Sequence, residues 1–167
     1  MSELNLANAL FKGLNDKQGL MICGYEWGWS KEDQRKFEEP STDYSIECTF
    51  SNKSLRYGEQ AKQWRYDKAI RKWFSLWGHP LNENGLGTDF DKSIVQTNWA
   101  YSCNNNIDNY EKFLEQDQID NFINHVEELR PKIIIFMGRR LIDLLRNEKV
   151  WDRFTSIVGQ QMEPLQI

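Results

Sequence analysis

Leu20-Met21-Ile22-Cys23-Gly24-Tyr25-Glu26-Trp27-Gly28 is the stretch on which the fold turns. A short apolar run stops at a glycine, and one carboxylate follows between two aromatics before a second glycine. A buried strand delivers an acidic side chain to the end of a sheet in this way, and in open α/β sheets that end is where ligands bind. Glu26 is therefore the first candidate for the centre of an active site.

Upstream of this strand, Leu4, Ala7, Leu10, Phe11 and Leu14 recur at helical spacing, with Ser2 as a cap and Gly13 near the end. Downstream, residues 29–42 read as a polar loop around Pro40, and Tyr44 to Phe50 as a weaker strand or extended segment. Gly58 to Trp77 reads as one long helix with Tyr66, Ile70, Trp73, Phe74 and Trp77 on one face, ended by Gly78-His79-Pro80. A glycine-containing loop over Asn82 to Asp91 leads into a strand, Ser93 to Asn98. An asparagine-rich loop, Ser102 to Asp108, and a helix over Asp117 to Leu129 come next.

Pro131 separates that helix from Lys132-Ile133-Ile134-Ile135-Phe136-Met137-Gly138, the clearest buried strand in the chain, continuous in apolar residues as parallel strands are. A further helix runs from Arg139 to about Arg146, and Val150 to Ile167 shows only weak periodicity. Alternation of helix and strand predicts a parallel sheet with helices on both faces.

The bulk composition sets the class. A chain of 167 residues fits one domain, and its 13% aromatic content, with seven Trp, demands a large core or stacking surfaces. No apolar run reaches the ~18 residues of a membrane span, and Ser2-Glu3-Leu4-Asn5 is not the basic, apolar start of a signal peptide. Three scattered cysteines, Cys23, Cys48 and Cys103, form no disulfide framework and point to a cytoplasmic protein. They are one short of an all-cysteine iron–sulfur site, and with only His79 and His125 available no metal or other cofactor is expected. The net charge of −4 argues against a general nucleic-acid binder. Lys53 to Lys72 nevertheless carries seven basic residues against two acids, +5 locally, which leaves −9 elsewhere.

Three strand ends, Gly24-Tyr25-Glu26, Thr97-Asn98 and Met137-Gly138, open on the same edge of a parallel sheet. That edge would hold a carboxylate able to position a water or stabilise a cation, and a carboxamide able to read the amide-like edge of a ring. Phe50, Trp27, Trp29 and Tyr44 could stack on such a ring. Each residue has a plainer reading. Glu26 could be a loop carboxylate pairing with Lys31 or Arg35, Asn98 a turn or capping residue, Phe50 a core residue, and the basic run a solvated helix face.

The order of these motifs resembles the uracil-DNA glycosylase superfamily. In that family a glycine-rich motif at a strand end holds the water-positioning group, and here Gly24-Tyr25-Glu26-Trp27-Gly28 stands in its place with Glu26 at the acid position. Thr49-Phe50-Ser51 looks like the segment whose aromatic stacks on the flipped base, and Gln96-Thr97-Asn98 like the strand end whose asparagine reads the base. Leu129 to Gly138 is similar to the family's strand that ends in glycine and leads into a helix.

The resemblance covers roughly residues 20 to 146 and implies one three-layer α/β/α domain around a central, mostly parallel four-stranded sheet. It implies hydrolysis of the N-glycosidic bond of a flipped base in DNA. Glu26 would be catalytic, Gly24, Tyr25, Trp27, Gly28, Phe50 and Asn98 substrate-binding, and Lys53, Arg56, Lys62 and Arg65 in contact with the DNA backbone. Two departures stand out. Trp27 replaces the family's usual proline, and no histidine follows Gly138 to supply the family's final loop, so the chain looks like the family with its last element missing or altered. The competing expectation is a catalytically inactive protein of the same fold that binds nucleic acid or a protein partner.

Overall fold

The computed structural model describes residues 19–28, 59–78, 94–104, 107 and 109–159. The expected opening helix, the segments over 29–50 and 82–91, and His79-Pro80 lie outside the described residues.

The chain is an α/β protein. Strand β1 (Leu20–Gly24) runs between β3 (Ile94–Asn98) and β5 (Ile133–Phe136), and both pairings are parallel. Two-residue strands β2 (Trp27–Gly28) and β4 (Cys103–Asn104) pair in parallel just beyond the sheet. The described sheet thus has three strands where four were expected. As the central strand, β1 is covered on both faces, which is why its sequence is an uninterrupted apolar run from Leu20 to Cys23.

Alternation of side chains sorts the core into two halves. Ile22 and Ile94 point to the face packed by α1 (Arg65–Leu76), where Ile70 and Phe74 meet them. Met21, Cys23 and Val95 point to the opposite face, covered by α2 (Gln116–Leu129), α3 (Arg139–Leu145) and α4 (Glu148–Val158). Trp99, fully buried just past β3, stacks on Phe122 of α2 with ring centroids 4.1 Å apart. Its indole N–H donates to the Phe113 carbonyl at 2.9 Å, so the buried donor is satisfied.

Several expectations are corrected. The helix read from Gly58 to Trp77 is broken: a 3-10 turn covers Glu59–Gln63, Trp64 has extended backbone at ψ 136°, and α1 starts at Arg65. Trp77, assigned to the packed face, is 60% exposed. β5 is only half-buried, and Ile133 at its start is 60% exposed, because among the described strands it pairs on one side only. The segment with weak periodicity contains α4, whose Val150 and Phe154 are fully buried. His125, to which no site role was assigned, is fully buried with its ring 3.4 Å from the Thr97 hydroxyl and contradicts no expectation.

Candidate functional site

Parallel pairing decides what meets at the sheet's C-terminal edge. The β1–β3 register sets Gly24 opposite Asn98, and β1–β5 pairing carries Cys23 opposite Phe136, so Met137-Gly138 leaves the sheet beside Gly24-Tyr25-Glu26. Backbone bonds continue the ladder past the strands: Trp99 N–H donates to Gly24 O, Ala100 N–H to Tyr25 O and Met137 N–H to Cys23 O, each at 2.8 Å. The Asn121 amide donates to Trp99 O at 2.8 Å and to Asn98 O at 3.2 Å, fixing the backbone from which the Asn98 side chain projects.

Two glycines on this edge are required by space. A Cβ on Gly24 would lie 2.5 Å from Asn98 Oδ1, so the carboxamide occupies the volume the missing side chain leaves. A Cβ on Gly138 would collide with the Tyr25 side chain, at ring atoms Cε2 and Cζ and at the hydroxyl oxygen. The Tyr25 hydroxyl reaches past Gly138 and accepts the Arg140 backbone N–H at 3.2 Å. Burial pushes that hydroxyl above its ordinary 10.0, with the Arg140 N–H acting the other way.

Glu26 stands next to this corner, and its partners come from far along the chain. Lys112 Nζ donates to both carboxylate oxygens at 2.7 Å, and Ser102 Oγ donates to Oε2 at 2.8 Å. The Glu26 side chain is 3% exposed and that of Lys112 24%. A carboxylate offers about four acceptor positions, so these three bonds leave roughly one for a water or a ligand donor. Lys112 lies on a 3-10 turn, Glu111–Leu114, anchored by the fully buried Phe113. Its ammonium also sits 5.0 Å from the Phe113 ring centroid.

The α1 side of the edge is polar beneath Asn98. Gln96 is buried two residues earlier on the same face, and Tyr66 of α1 approaches Gly24, its ring 3.6 Å from where a Cβ would be. The Tyr66 hydroxyl and Gln96 Oε1 are buried, and neither makes a hydrogen bond of good geometry among the described residues. Burial pushes the Tyr66 hydroxyl well up, while the neighbouring Gln96 amide acts in the opposite direction.

No protein-family model matches this chain, and no curated protein or solved structure matches it either.

Of the residues expected to form a site, Gly24, Tyr25, Glu26 and Asn98 share this edge. Trp27 and Gly28 form β2 beside it; Gly28 is exposed, with open space where a Cβ would be. Phe50, Lys53 and Arg56 lie outside the described residues. Lys62 falls on the first 3-10 turn and Arg65 is exposed at the start of α1. Sequence reasoning missed Ser102, Lys112, Tyr110 and Arg140. Nothing in the local pattern marks Lys112, since its relation to Glu26 spans 86 residues. Arg139-Arg140 directly after Gly138 was a visible signal. Among the described residues no cluster of three His, Cys, Asp or Glu could hold a metal, and no helix is long and apolar enough to cross a membrane.

Proposed function

We propose that the chain is a uracil-DNA glycosylase-like protein that hydrolyses the N-glycosidic bond of a base flipped out of DNA. The observation that supports this reading is the Gly24–Asn98 register, with the Asn98 carboxamide over a side-chain-free position two residues before Glu26. Asn98 pairs with the amide-like edge of the base, and Phe50 stacks on its face. Glu26 uses its remaining acceptor position to orient a water. The water oxygen bonds to the sugar carbon as the carbon–nitrogen bond breaks, and the base leaves with the electron pair. The proton lost by the water passes to the Glu26 carboxylate and from there to the departing base. The basic segment 53–72 meets the phosphates.

One observation favours a second reading, a catalytically inactive protein of this fold that binds nucleic acid or a protein. The Glu26 carboxylate is nearly fully buried and already engaged by Lys112 and Ser102. Release of uracil from single- and double-stranded DNA separates the two. Under the hydrolase reading Glu26→Gln slows release by about 10²–10⁴-fold, the usual contribution of a positioned acid–base group, while DNA affinity is retained. Asn98→Ala lowers both release and affinity. Absence of release from DNA that the protein demonstrably binds overturns the hydrolase reading and leaves the second.

A further inference from the structure

Lys112, Glu26 and Ser102 form a line of three groups beside the sheet edge. Lys112 Nζ donates to both Glu26 oxygens at 2.7 Å, and Ser102 Oγ donates to Oε2 at 2.8 Å. A nucleophile within hydrogen-bond reach of a base, with the base oriented by a third group, is the arrangement covalent catalysis uses. A salt bridge alone would be served better by arginine, whose planar fork matches a carboxylate, whereas lysine is the cation that forms imines. The flexible lysine stem is also held in place. Lys112 sits on the Glu111–Leu114 turn, whose Phe113 is fully buried and accepts the Trp99 indole N–H on its carbonyl at 2.9 Å. The Phe113 ring centroid lies 5.0 Å from the ammonium and walls one side of it. The Lys112 side chain is 24% exposed against 3% for Glu26, so Lys112 is the member of the pair open to a ligand. An amine beside a base needs no cofactor to react with a carbonyl.

We infer that the Lys112 amine captures the aldehyde of an abasic sugar as an imine and holds the product strand covalently after base release. For its substrate the inference rests on the glycosylase-like reading, since loss of a base leaves a hemiacetal carbon that opens to an aldehyde. That carbon is the one towards which Glu26 orients water, and Lys112 contacts the same carboxylate. The step balances on these groups. Glu26 takes a proton from the ammonium, and the freed nitrogen lone pair bonds to the aldehyde carbon while the carbonyl electron pair moves to oxygen. Glu26 passes that proton to the oxygen, then relays a second one from nitrogen, and the oxygen leaves as water. The iminium keeps the last nitrogen proton, and no oxidant or reductant is consumed. Hydrolysis reverses the step and frees the strand.

The test incubates the protein with single-stranded DNA carrying one abasic site, made beforehand by acid depurination, in the presence of cyanoborohydride. The reductant delivers hydride to the iminium carbon and fixes it as a secondary amine that survives denaturing electrophoresis. The wild type is expected to give an adduct that peptide mapping places on Lys112. Lys112→Arg keeps a cation against Glu26 but cannot form an imine, and abolishes the adduct. Glu26→Gln slows its formation about 10²-fold, as loss of a general base does. Lys132→Arg, at an exposed lysine just before β5, leaves the yield unchanged. DNA with a tetrahydrofuran site, which lacks the aldehyde, gives no adduct. Thermal melting confirms that each variant is folded, and mapping of the wild-type adduct decides the matter if Lys112→Arg is not. No wild-type adduct, an adduct mapped to other amines, or an undiminished yield in folded Lys112→Arg overturns the inference. Uracil release without an adduct sinks the inference and leaves the hydrolase reading standing. An adduct on Lys112 from preformed abasic DNA, without uracil release, does the reverse.

Discussion

Two glycines at one sheet edge illustrate how differently a single methyl group is felt. Gly138 has φ 168°, extended backbone that any residue adopts, so only space demands glycine there. Its neighbour is the rigid Tyr25 ring, and Gly138→Ala is expected to cost about 2–3 kcal/mol, the upper part of the overpacking range. At Gly24 the obstructing atom is the end of the Asn98 carboxamide, which can rotate away. Gly24→Ala is expected to cost only about 1 kcal/mol, and under the proposed glycosylase reading it lowers uracil release and DNA affinity in the same direction as Asn98→Ala. Urea unfolding of both variants beside a binding assay checks the contrast, and equal stability losses would count against it. Glu26, Gly24 and Asn98 were legible in the sequence because a buried strand that ends in a polar residue announces its own edge. Lys112 and Ser102 were not, because an ion pair closed across 86 residues leaves no local periodicity.

Among the elements, the short turn Glu111–Leu114 matters beyond its length. Phe113 seats it in the core and the Trp99 indole ties down its backbone, which aims Lys112 at a carboxylate that would otherwise be buried with only the Ser102 hydroxyl and no countercharge among the described residues. Lys112→Met is expected to destabilise by about 3 kcal/mol, the low end for breaking a buried pair because Lys112 is partly exposed and Ser102 remains. A double-mutant cycle with Glu26→Gln measures this, and the cost should fall well below half when the carboxylate is absent. An undiminished cost would show that Lys112 acts by packing alone. Other elements show where reading by pattern fails. α4 buries Val150 and Phe154 one turn apart and is capped by Asn147, whose side chain accepts the Lys149 N–H at 3.1 Å. Two buried positions in eleven residues give a thin stripe, so the helix was hard to see, although Asn147 was a readable cap. β5 fails in the opposite direction, since an all-apolar strand looks buried whether or not it has a neighbour on each side.

For the molecule as a whole, Cys23 reports on the integrity of the sheet. It is fully buried on the central strand, and burial holds its thiol far above the ordinary 9.0. The folded thiol therefore keeps its proton when the unfolded one loses it. Stability from this group is complete below about pH 9 and falls as pH rises further, by about 1.4 kcal/mol per unit. Tyr66 adds to the same trend above its ordinary 10.0. Denaturation midpoints from pH 7 to 11 should stay level and then decline, with Cys23→Ala delaying the onset by about one unit. A midpoint that rises with pH would contradict this. In a Cys48→Ser/Cys103→Ser background, Cys23 should resist alkylation until the protein unfolds.

What the sequence determined by itself was the alternation of strand and helix, the parallel sheet, and the candidate edge holding Gly24, Glu26 and Asn98. Those follow from hydrophobic periodicity and from polar residues at strand ends, both local properties of the chain. Tertiary structure alone decided that β1 lies between β3 and β5, that the Asn98 carboxamide fills the space above Gly24, and that Glu26 is held by Ser102 and Lys112. It also brought Arg140 onto Tyr110 beside that edge. Strand order and pairing across scores of residues depend on how the elements pack, and no short-range pattern encodes packing.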